Sequence, residues 1–409
     1  MKAKTRRSWS MSGAVVALSA GILLGAASAA TNKVIYSFSG GNDGEYADTE
    51  LVVDASGNLY GTTVQGGLHA SGTVFELSPS KGRWVHTVLY NFTGGLDGGE
   101  PYKGVILDAQ GNLYGTAVTG GNGPCEGGCG VVYELSNSGG QWTQTVIHNF
   151  TGGDDGSGPG SPVVLDKAGN VYGTTPTGGA DGLGTVYQLR EVTGEWTLRV
   201  IHTFTGGVDG ATGSAGRVAF DAAGTLYGVA TVGGIHQAGV VYKLTPTQAG
   251  EWNQQTLYAF NDEPDAGFPY GGLVADKDNN IYGTTYYAGA HDVGTVYRLS
   301  LRHGTWVETG LYSFRGGSDG SSPISTLVFD KAGNLYGTAS EGGAGCSCGT
   351  IFKFSAGART TYATPHRFTG MPDGAFPYDG MVMDAAGNLY GATTHGGTSN
   401  NGAIYQFTP

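Results

Sequence analysis

The feature that most constrains the fold is a pattern that recurs seven times along the chain. Each copy reads approximately apolar-x-x-Asp-x-x-Gly-Asn-Leu-Tyr-Gly-Thr. The central tyrosines of the copies are Tyr60, Tyr114, Tyr172, Tyr227, Tyr282, Tyr336 and Tyr390. Consecutive tyrosines lie 54 to 58 residues apart, and such a near-constant period indicates one repeat architecture rather than several unrelated domains.

Each copy contains four short runs that have the composition of β-strands. In the second copy these runs are residues 105–107, 112–116, 131–135 and 142–150, and all are rich in β-branched and aromatic side chains. Turn-forming Gly, Asn, Asp and Ser separate the runs, and no stretch shows the 3.6-residue apolar period of a helix. Four strands per unit are typical of a propeller blade. The sequence therefore predicts an all-β, seven-bladed propeller of four-stranded blades.

The two ends of the chain predict how the ring closes. The last copy stops after its third strand, at residues 403–407, and lacks an outer strand. Residues 34–38 (Val-Ile-Tyr-Ser-Phe) match the outer strands of other copies, such as residues 88–92 and 146–150. We therefore expect the N-terminal strand to complete the last blade, which would remove the exposed sheet edges of an open array.

The first thirty residues have the pattern of a signal peptide. Four basic residues come first, an apolar run follows at 14–24, and Ala-Ser-Ala at 27–29 is a small-residue cleavage site. We therefore expect an exported protein, periplasmic or extracellular, with one propeller domain over residues 31–409 and no membrane span. Removing residues 1–30 takes away four of the 21 Lys and Arg and none of the 33 Asp and Glu, which leaves a formal charge of −16. Such a surface repels nucleic acid.

The repeat unit also resembles a known family. The run Asp-x-x-Gly-Asn-Leu-Tyr-Gly-Thr-Thr, followed by Gly-Gly and then Gly-Thr-Val-Tyr/Phe, stands nearly intact at residues 54–75, 166–187 and 276–297. It resembles the GloVer (Gloeobacter/Verrucomicrobia) tandem repeat of the "choice-of-anchor" bacterial surface proteins. The resemblance implies an exported propeller, and it carries over no settled activity.

Residues that recur in every copy are best interpreted as structural. The Asp that opens each Asp-x-x-Gly turn and the Trp that starts most outer strands belong to this group. A second Asp series, in the loops between blades, is interpreted as turn-forming, with Ca²⁺ binding as the alternative. The candidate cation site with the most clustered carboxylates is formed by Asp262, Glu263 and Asp265. No other cofactor is expected.

Function is expected where the copies differ. Counting back from the Asp of each inner strand places a set of unmatched residues at one mouth of the central channel. This candidate ligand site comprises Glu50, Tyr102, Lys103, Arg217, Tyr270, Tyr378 and Asp379. Its mixed charges and tyrosines are suited to a polar ligand such as a glycan, while the alternative is a set of ordinary salt-bridged groups.

Four cysteines lie in the same loop of two different copies. Cys125 and Cys129 belong to the second copy, and Cys346 and Cys348 to the sixth. In an exported protein, two local disulfides are the expected pairing.

Three functions remain open at this point. The first is a monomeric recognition scaffold that binds a glycan or a protein through the loop-rich face. The second is a carbohydrate-active enzyme, a lyase or hydrolase, that uses Lys103, Arg217, Tyr270 and Asp379. The third is a metal-dependent lactonase, which needs several carboxylates and an Asn inside the channel. The sequence contains no phosphate-binding loop.

Overall fold

The structure, a computed structural model, describes residues 30–213, 217–261, 266–343, 345–356 and 361–409. The predicted signal peptide, apart from Ala30, lies outside the described residues, and so do Asp262, Glu263 and Asp265. Seven antiparallel sheets, one for each repeat, form the predicted seven-bladed propeller. In the described ranges, the one helical element is a short 3-10 turn at Gly317–Asp319.

Every blade has the same strand order from the channel outward. The inner strands are Val52–Val53, Val105–Leu107, Val164–Leu165, Ala219–Phe220, Val274–Ala275, Val328–Phe329 and Val382–Met383. The second strands are Leu59–Thr63, Leu113–Ala117, Val171–Thr175, Leu226–Val232, Ile281–Ala288, Leu335–Ala339 and Leu389–Thr393. The third strands are Thr73–Ser80, Val131–Ser138, Thr185–Val192, Val240–Pro246, Thr295–Arg302, Thr350–Ser355 and Ala403–Thr408. The outer strands of blades 1 to 6 are Arg83–Asn91, Gln141–Asn149, Glu195–Thr203, Trp252–Ala259, Thr305–Ser313 and Thr361–Arg367.

Blades 4 and 5 each carry one additional short strand. Ala211–Gly213 and Ala266–Pro269 pair with the extended ends of the second strands of these blades. The true inner strands pair with the same second strands further along. The innermost position is therefore shared by two short strands in these blades.

The N-terminal strand Thr31–Ser37 closes the ring as predicted. It pairs antiparallel with Ala403–Thr408, so that Val34 lies opposite Tyr405 and Ser37 lies opposite Ala403. The next residue, Phe38, donates its backbone N–H to the carbonyl of Gly402 at 3.0 Å. The Phe38 side chain is fully buried. Blade 7 is thus built from both ends of the described chain.

The Asp of each Asp-x-x-Gly turn organises the repeat motif. In blade 1, Oδ1 of Asp54 accepts the backbone N–H groups of Ser56 and Asn58 at 2.8 and 2.9 Å. Its Oδ2 accepts the Asn58 side-chain amide and the Tyr60 hydroxyl. One carboxylate therefore explains why Asp, Asn and Tyr recur at fixed spacing, and why this Asp belongs to the structure of the turn.

The second Asp series is also engaged locally. Asp97 accepts the Tyr90 hydroxyl and the Thr93 backbone N–H, both at 2.9 Å. Where the tyrosine is replaced by histidine, as in the outer strand of blade 2, the ring Nε2 of His148 lies 3.1 Å from Asp155 Oδ2. These carboxylates tie each loop to its own outer strand. The described residues contain no group of three or more His, Cys, Asp or Glu arranged to hold a metal ion.

Aromatic rings and close backbone contacts pack neighbouring blades and strands together. Trp142 of blade 2 packs edge-to-face on Tyr60 of blade 1, and Trp84 packs in the same way on Tyr390 of blade 7. The glycine of the Tyr-Gly-Thr motif is required by a close contact, since a Cβ on Gly173 would overlap the Tyr187 hydroxyl. The recurrent Trp and Gly residues are therefore structural.

A buried histidine that packs on the closing strand makes the stability of the protein depend on pH. His86 of blade 1 stacks on Tyr36 of the closing strand, with ring centroids 4.4 Å apart. Burial lowers the pKa of His86 from 6.5 to about 4. Because the unfolded chain binds this proton below about pH 6.5 and the folded one only near pH 4, the histidine's stabilising contribution decreases as the pH falls through that window.

We expect His86→Phe to reduce this pH dependence. Thermal melts of the two proteins between pH 7.5 and 4.5 measure the effect, and the wild-type Tm should fall more steeply than that of the variant. His148 and His202, whose pKa values are also lowered by burial, are present in both proteins and cancel in the comparison. Parallel Tm profiles for the two proteins would contradict the assignment.

Candidate ligand site at the mouth of the central channel

Three consecutive positions precede each inner strand, and the residue types at these positions differ among the blades. At the middle position, blades 1, 3 and 6 carry Thr49, Ser161 and Ser325. The hydroxyls of Thr49 and Ser325 accept a backbone N–H from the second strand of their own blade at 3.0 and 2.9 Å. Blades 2 and 7 have Lys103 and Asp379 instead. These two charged residues therefore replace a hydroxyl that has a structural partner.

Lys103 is the centre of a buried ion triad. Its Nζ lies 2.6 Å from Asp48 Oδ1 and 3.0 Å from Asp379 Oδ1. The side chains of Lys103, Asp48 and Asp379 are only 10%, 14% and 10% exposed. Because the three residues come from blades 2, 1 and 7, the triad also joins the blades on both sides of the closure.

Burial and the neighbouring charges shift the pKa values of all three side chains of the triad. Burial raises the pKa of Asp379 well above its usual range, and the neighbouring Asp48 adds to the effect. Burial acts on Asp48 in the same direction and is the largest single cause, but the Lys103 charge and hydrogen bonding together outweigh it and lower the pKa of Asp48. Burial disfavours charged Lys103, yet the two carboxyl groups raise its pKa above the ordinary lysine value. The Lys103 charge therefore lies between one carboxyl group whose pKa is lowered and one whose pKa is raised.

A cavity of about 280 Å³ opens above the triad. Its lining includes Asp48, Lys103, Tyr270, Tyr286, Glu341 and Tyr378. These residues come from blades 1, 2, 5, 6 and 7, so the cavity spans the channel mouth. Its size is at the low end of small-molecule sites and is suited to one small polar ligand or one sugar residue.

Below this cavity the channel narrows. The constriction has a volume of about 10 Å³, which is about enough for one water molecule. Its lining includes Glu50, Lys103, Arg217, Tyr270, Thr326 and Asp379. Arg217 Nη1 lies 3.4 Å from Glu50 Oε1. The floor of the mouth cavity is therefore narrow and charged.

The structure brings together most residues of the predicted ligand site. Of the seven, Glu50, Lys103, Arg217, Tyr270, Tyr378 and Asp379 line the mouth cavity or the constriction. Tyr102 precedes Lys103 in the chain, but it is not among the residues that line either space in the described part of the structure.

Three residues of the site were missed by sequence reasoning. Asp48 occupies the same repeat position as Tyr102, Tyr270 and Tyr378, and its charge at this position was a detectable signal. Tyr286 lies at the extended end of the second strand of blade 5, and Glu341 follows the second strand of blade 6. The sequence places the segments after the Tyr-Gly-Thr motifs on the same face, but nothing in one repeat shows which of them reach across the channel.

The predicted disulfides form on this face of the molecule. Cys125 is bonded to Cys129, and Cys346 to Cys348, in the equivalent loops of blades 2 and 6. The pairings are those expected of an exported protein. No helix in the described part of the chain is long and apolar enough to cross a membrane.

Comparison with known sequences assigns the chain to a family. The profile of the Gloeobacter/Verrucomicrobia repeat matches residues 9–128, 85–277 and 248–409. The chain belongs to the Gloeobacter/Verrucomicrobia repeat family. A search of curated protein sequences found no match.

Solved structures with a similar fold share little sequence with this repeat protein. A provisionally named selenium-binding protein from Sulfolobus tokodaii has a TM-score of 0.56 at 9% identity, covering 89% of this chain and 88% of its own. A protein from Lactobacillus plantarum has a TM-score of 0.55 at 14% identity, with coverages of 86% and 99%. A provisionally named 6-phosphogluconolactonase from Bacteroides uniformis has a TM-score of 0.51 at 14% identity, with coverages of 86% and 98%. At these identities the likeness shows the fold alone.

Proposed function

We propose that this protein is an exported recognition scaffold that binds the end of a glycan at the channel mouth. The observation that carries the proposal is convergence: residues that depart from the repeat consensus in five blades line one cavity. Residues needed only to build the ring would be expected at equivalent positions in all blades. Departures from the repeat that converge in one concave site favour ligand binding.

The chemistry of the cavity suits a sugar. Three tyrosine rings, from Tyr270, Tyr286 and Tyr378, supply apolar faces, and the carboxylates and hydroxyl groups supply hydrogen-bonding partners. A sugar ring has a C–H face and a polar edge, so it can pack on a tyrosine ring while its hydroxyls bond the polar groups. The narrow floor of the cavity favours a chain end over the middle of a polysaccharide.

Export is supported by several independent features. The N-terminal signal pattern predicts secretion, and the two disulfides are compatible with an oxidising compartment. A glycan of the periplasm or of the extracellular environment is therefore a ligand class that the protein would encounter.

The test is binding of the purified protein to a glycan array, followed by calorimetric titration with the glycans retained. Tyr270→Ala and Tyr378→Ala should each weaken binding about tenfold, since each removes an aromatic face from the cavity. Tyr102→Ala is the matched control, because Tyr102 occupies the same repeat position without lining the cavity, and it should bind like the wild type. No retained glycan, or an equal loss in the Tyr102 variant, would overturn the proposal.

A second candidate is a carbohydrate-active enzyme, because one lining contains Lys103, Arg217, Tyr270 and Asp379. The geometry supports it less well. Asp48 and Asp379 are both bonded to Lys103 Nζ, at 2.6 and 3.0 Å, whereas a glycosidase needs two carboxyl groups that act separately on the glycosidic bond. Lys103, whose pKa is raised, remains protonated and cannot serve as a base. Release of product from a polysaccharide panel, lost in Tyr270→Phe, would establish the enzyme instead.

A further inference from the structure

In the described part of the chain, most charged side chains around the mouth cavity have a salt-bridge partner, but one does not. Lys103 is bonded to both Asp48 and Asp379, and Arg217 lies beside Glu50. Both cations of the site are therefore neutralised by protein carboxylates. Glu341, which also lines the cavity, has no cation within salt-bridge distance among the described residues. Glu341 is exposed to solvent, so its carboxylate is available to a cation of a ligand.

Two tyrosine rings lie next to this carboxylate. The charge of Glu341 acts on both Tyr286 and Tyr378, and it contributes to the raised pKa of each hydroxyl. Tyr286 is held in place by neighbouring rings, with its centroid 4.0 Å from that of Tyr287 and 6.2 Å from that of Tyr270. The face of an aromatic ring attracts a cation. Two rings and a free carboxylate on one wall together favour a positively charged group.

The net charge of the whole protein also favours a positively charged ligand. The formal charge without residues 1–30 is −16, from 17 basic and 33 acidic residues. An anionic glycan would approach a negative surface and then meet Glu341. A neutral sugar would leave the Glu341 charge without a counterion. A ligand with a protonated amine would be attracted by the negative surface and would pair with Glu341.

We infer that the group bound at the channel mouth carries a protonated amine, as a non-acetylated amino sugar does, and that Glu341, Tyr286 and Tyr378 form the subsite that holds it. The inference rests on the proposed glycan-binding function and specifies its ligand class. Glu341 would form a charge-assisted hydrogen bond with the ammonium group. The two rings would contribute cation–π contacts, and Tyr270 would pack on the sugar ring.

The test compares three β-1,4-linked tetrasaccharides that differ at one substituent: the glucosamine, N-acetylglucosamine and glucose tetramers. Calorimetric titration with the full mature protein should show the glucosamine tetramer binding at least about tenfold more tightly than the other two. Its affinity should also decrease as the salt concentration rises. Free glucosamine and glucose, titrated in the same way, separate binding at the cavity from avidity along the chain.

Two variants identify the subsite. Glu341→Gln keeps the size and backbone pairing of the residue and should bring the glucosamine tetramer to within about twofold of the glucose tetramer. Glu126→Gln, an exposed glutamate of a blade 2 loop on the same face, is the matched control and should leave the preference unchanged. Tyr270→Ala should weaken all three tetramers.

The outcomes separate this inference from the proposed function. Equal binding of the three tetramers, or a preference that survives in Glu341→Gln, would overturn the amine subsite and leave glycan recognition standing. Failure of all three tetramers and of every glycan on the array would overturn both.

Discussion

Deleting residues 31–38 is expected to prevent the domain from folding into a stable ring. These residues form the entire outer strand of blade 7 and include the fully buried Phe38. Without them the strand Ala403–Thr408 becomes an open sheet edge, and the apolar contacts of Ile404 and Phe407 at this edge lose their covering strand. The deletion protein should show no cooperative thermal transition, or should aggregate, because an exposed apolar edge pairs with other chains.

Milder variants test the same closure in proteins that still fold. Phe38→Ala should lower the free energy of unfolding by about 3 to 5 kcal/mol, because it removes a large side chain from the core. Lys33→Ala, at an exposed position of the same strand, is the control and should change it by less than about 0.5 kcal/mol. A disulfide between Lys33→Cys and Gln406→Cys, which lie opposite each other, should raise the Tm. A deletion protein as stable as the wild type would refute the closure.

The closure was predictable from the sequence for a specific reason. The repeat sets a fixed order of strands, so a missing outer strand at one end and a spare one at the other can be recognised without any structure. The predicted pairing of residues 34–38 with residues 403–407 is observed as an antiparallel ladder between Thr31–Ser37 and Ala403–Thr408. The same periodicity identified Asp54 and its equivalents as turn residues, and their hydrogen bonds confirm this role.

The site was only partly predictable, because its contacts are made between repeats rather than within one. Counting within the repeat found Lys103 and Asp379, since each occupies a position that blades 1, 3 and 6 fill with Ser or Thr. The pairing of Lys103 with Asp48 across the first blade boundary depends on the curvature of the ring and on the loop lengths. Glu341 could not be predicted for the same reason, because only the folded ring places it beside Tyr378 of the next blade.

The second large effect is expected at the ion triad. Lys103→Met should lower the free energy of unfolding by about 3 to 5 kcal/mol, because it removes the cation from between two buried carboxyl groups. Part of the loss is relieved when the carboxyl groups bind protons, so the variant should gain stability relative to the wild type as the pH is lowered from 7 to 5. Chemical denaturation of both proteins at the two pH values measures this.

Two further variants test whether Lys103→Met loses stability because it leaves buried charge without a partner. Lys277→Met breaks an ion pair with Asp278 whose side chains are 87% and 66% exposed, and it should change the free energy of unfolding by less than about 0.5 kcal/mol. Adding Asp48→Asn and Asp379→Asn to Lys103→Met should restore most of the lost stability, since no uncompensated charge then remains buried. If Lys103→Met were as mild as Lys277→Met, the triad would contribute little to the closure. Its role would then lie only in the floor of the ligand cavity.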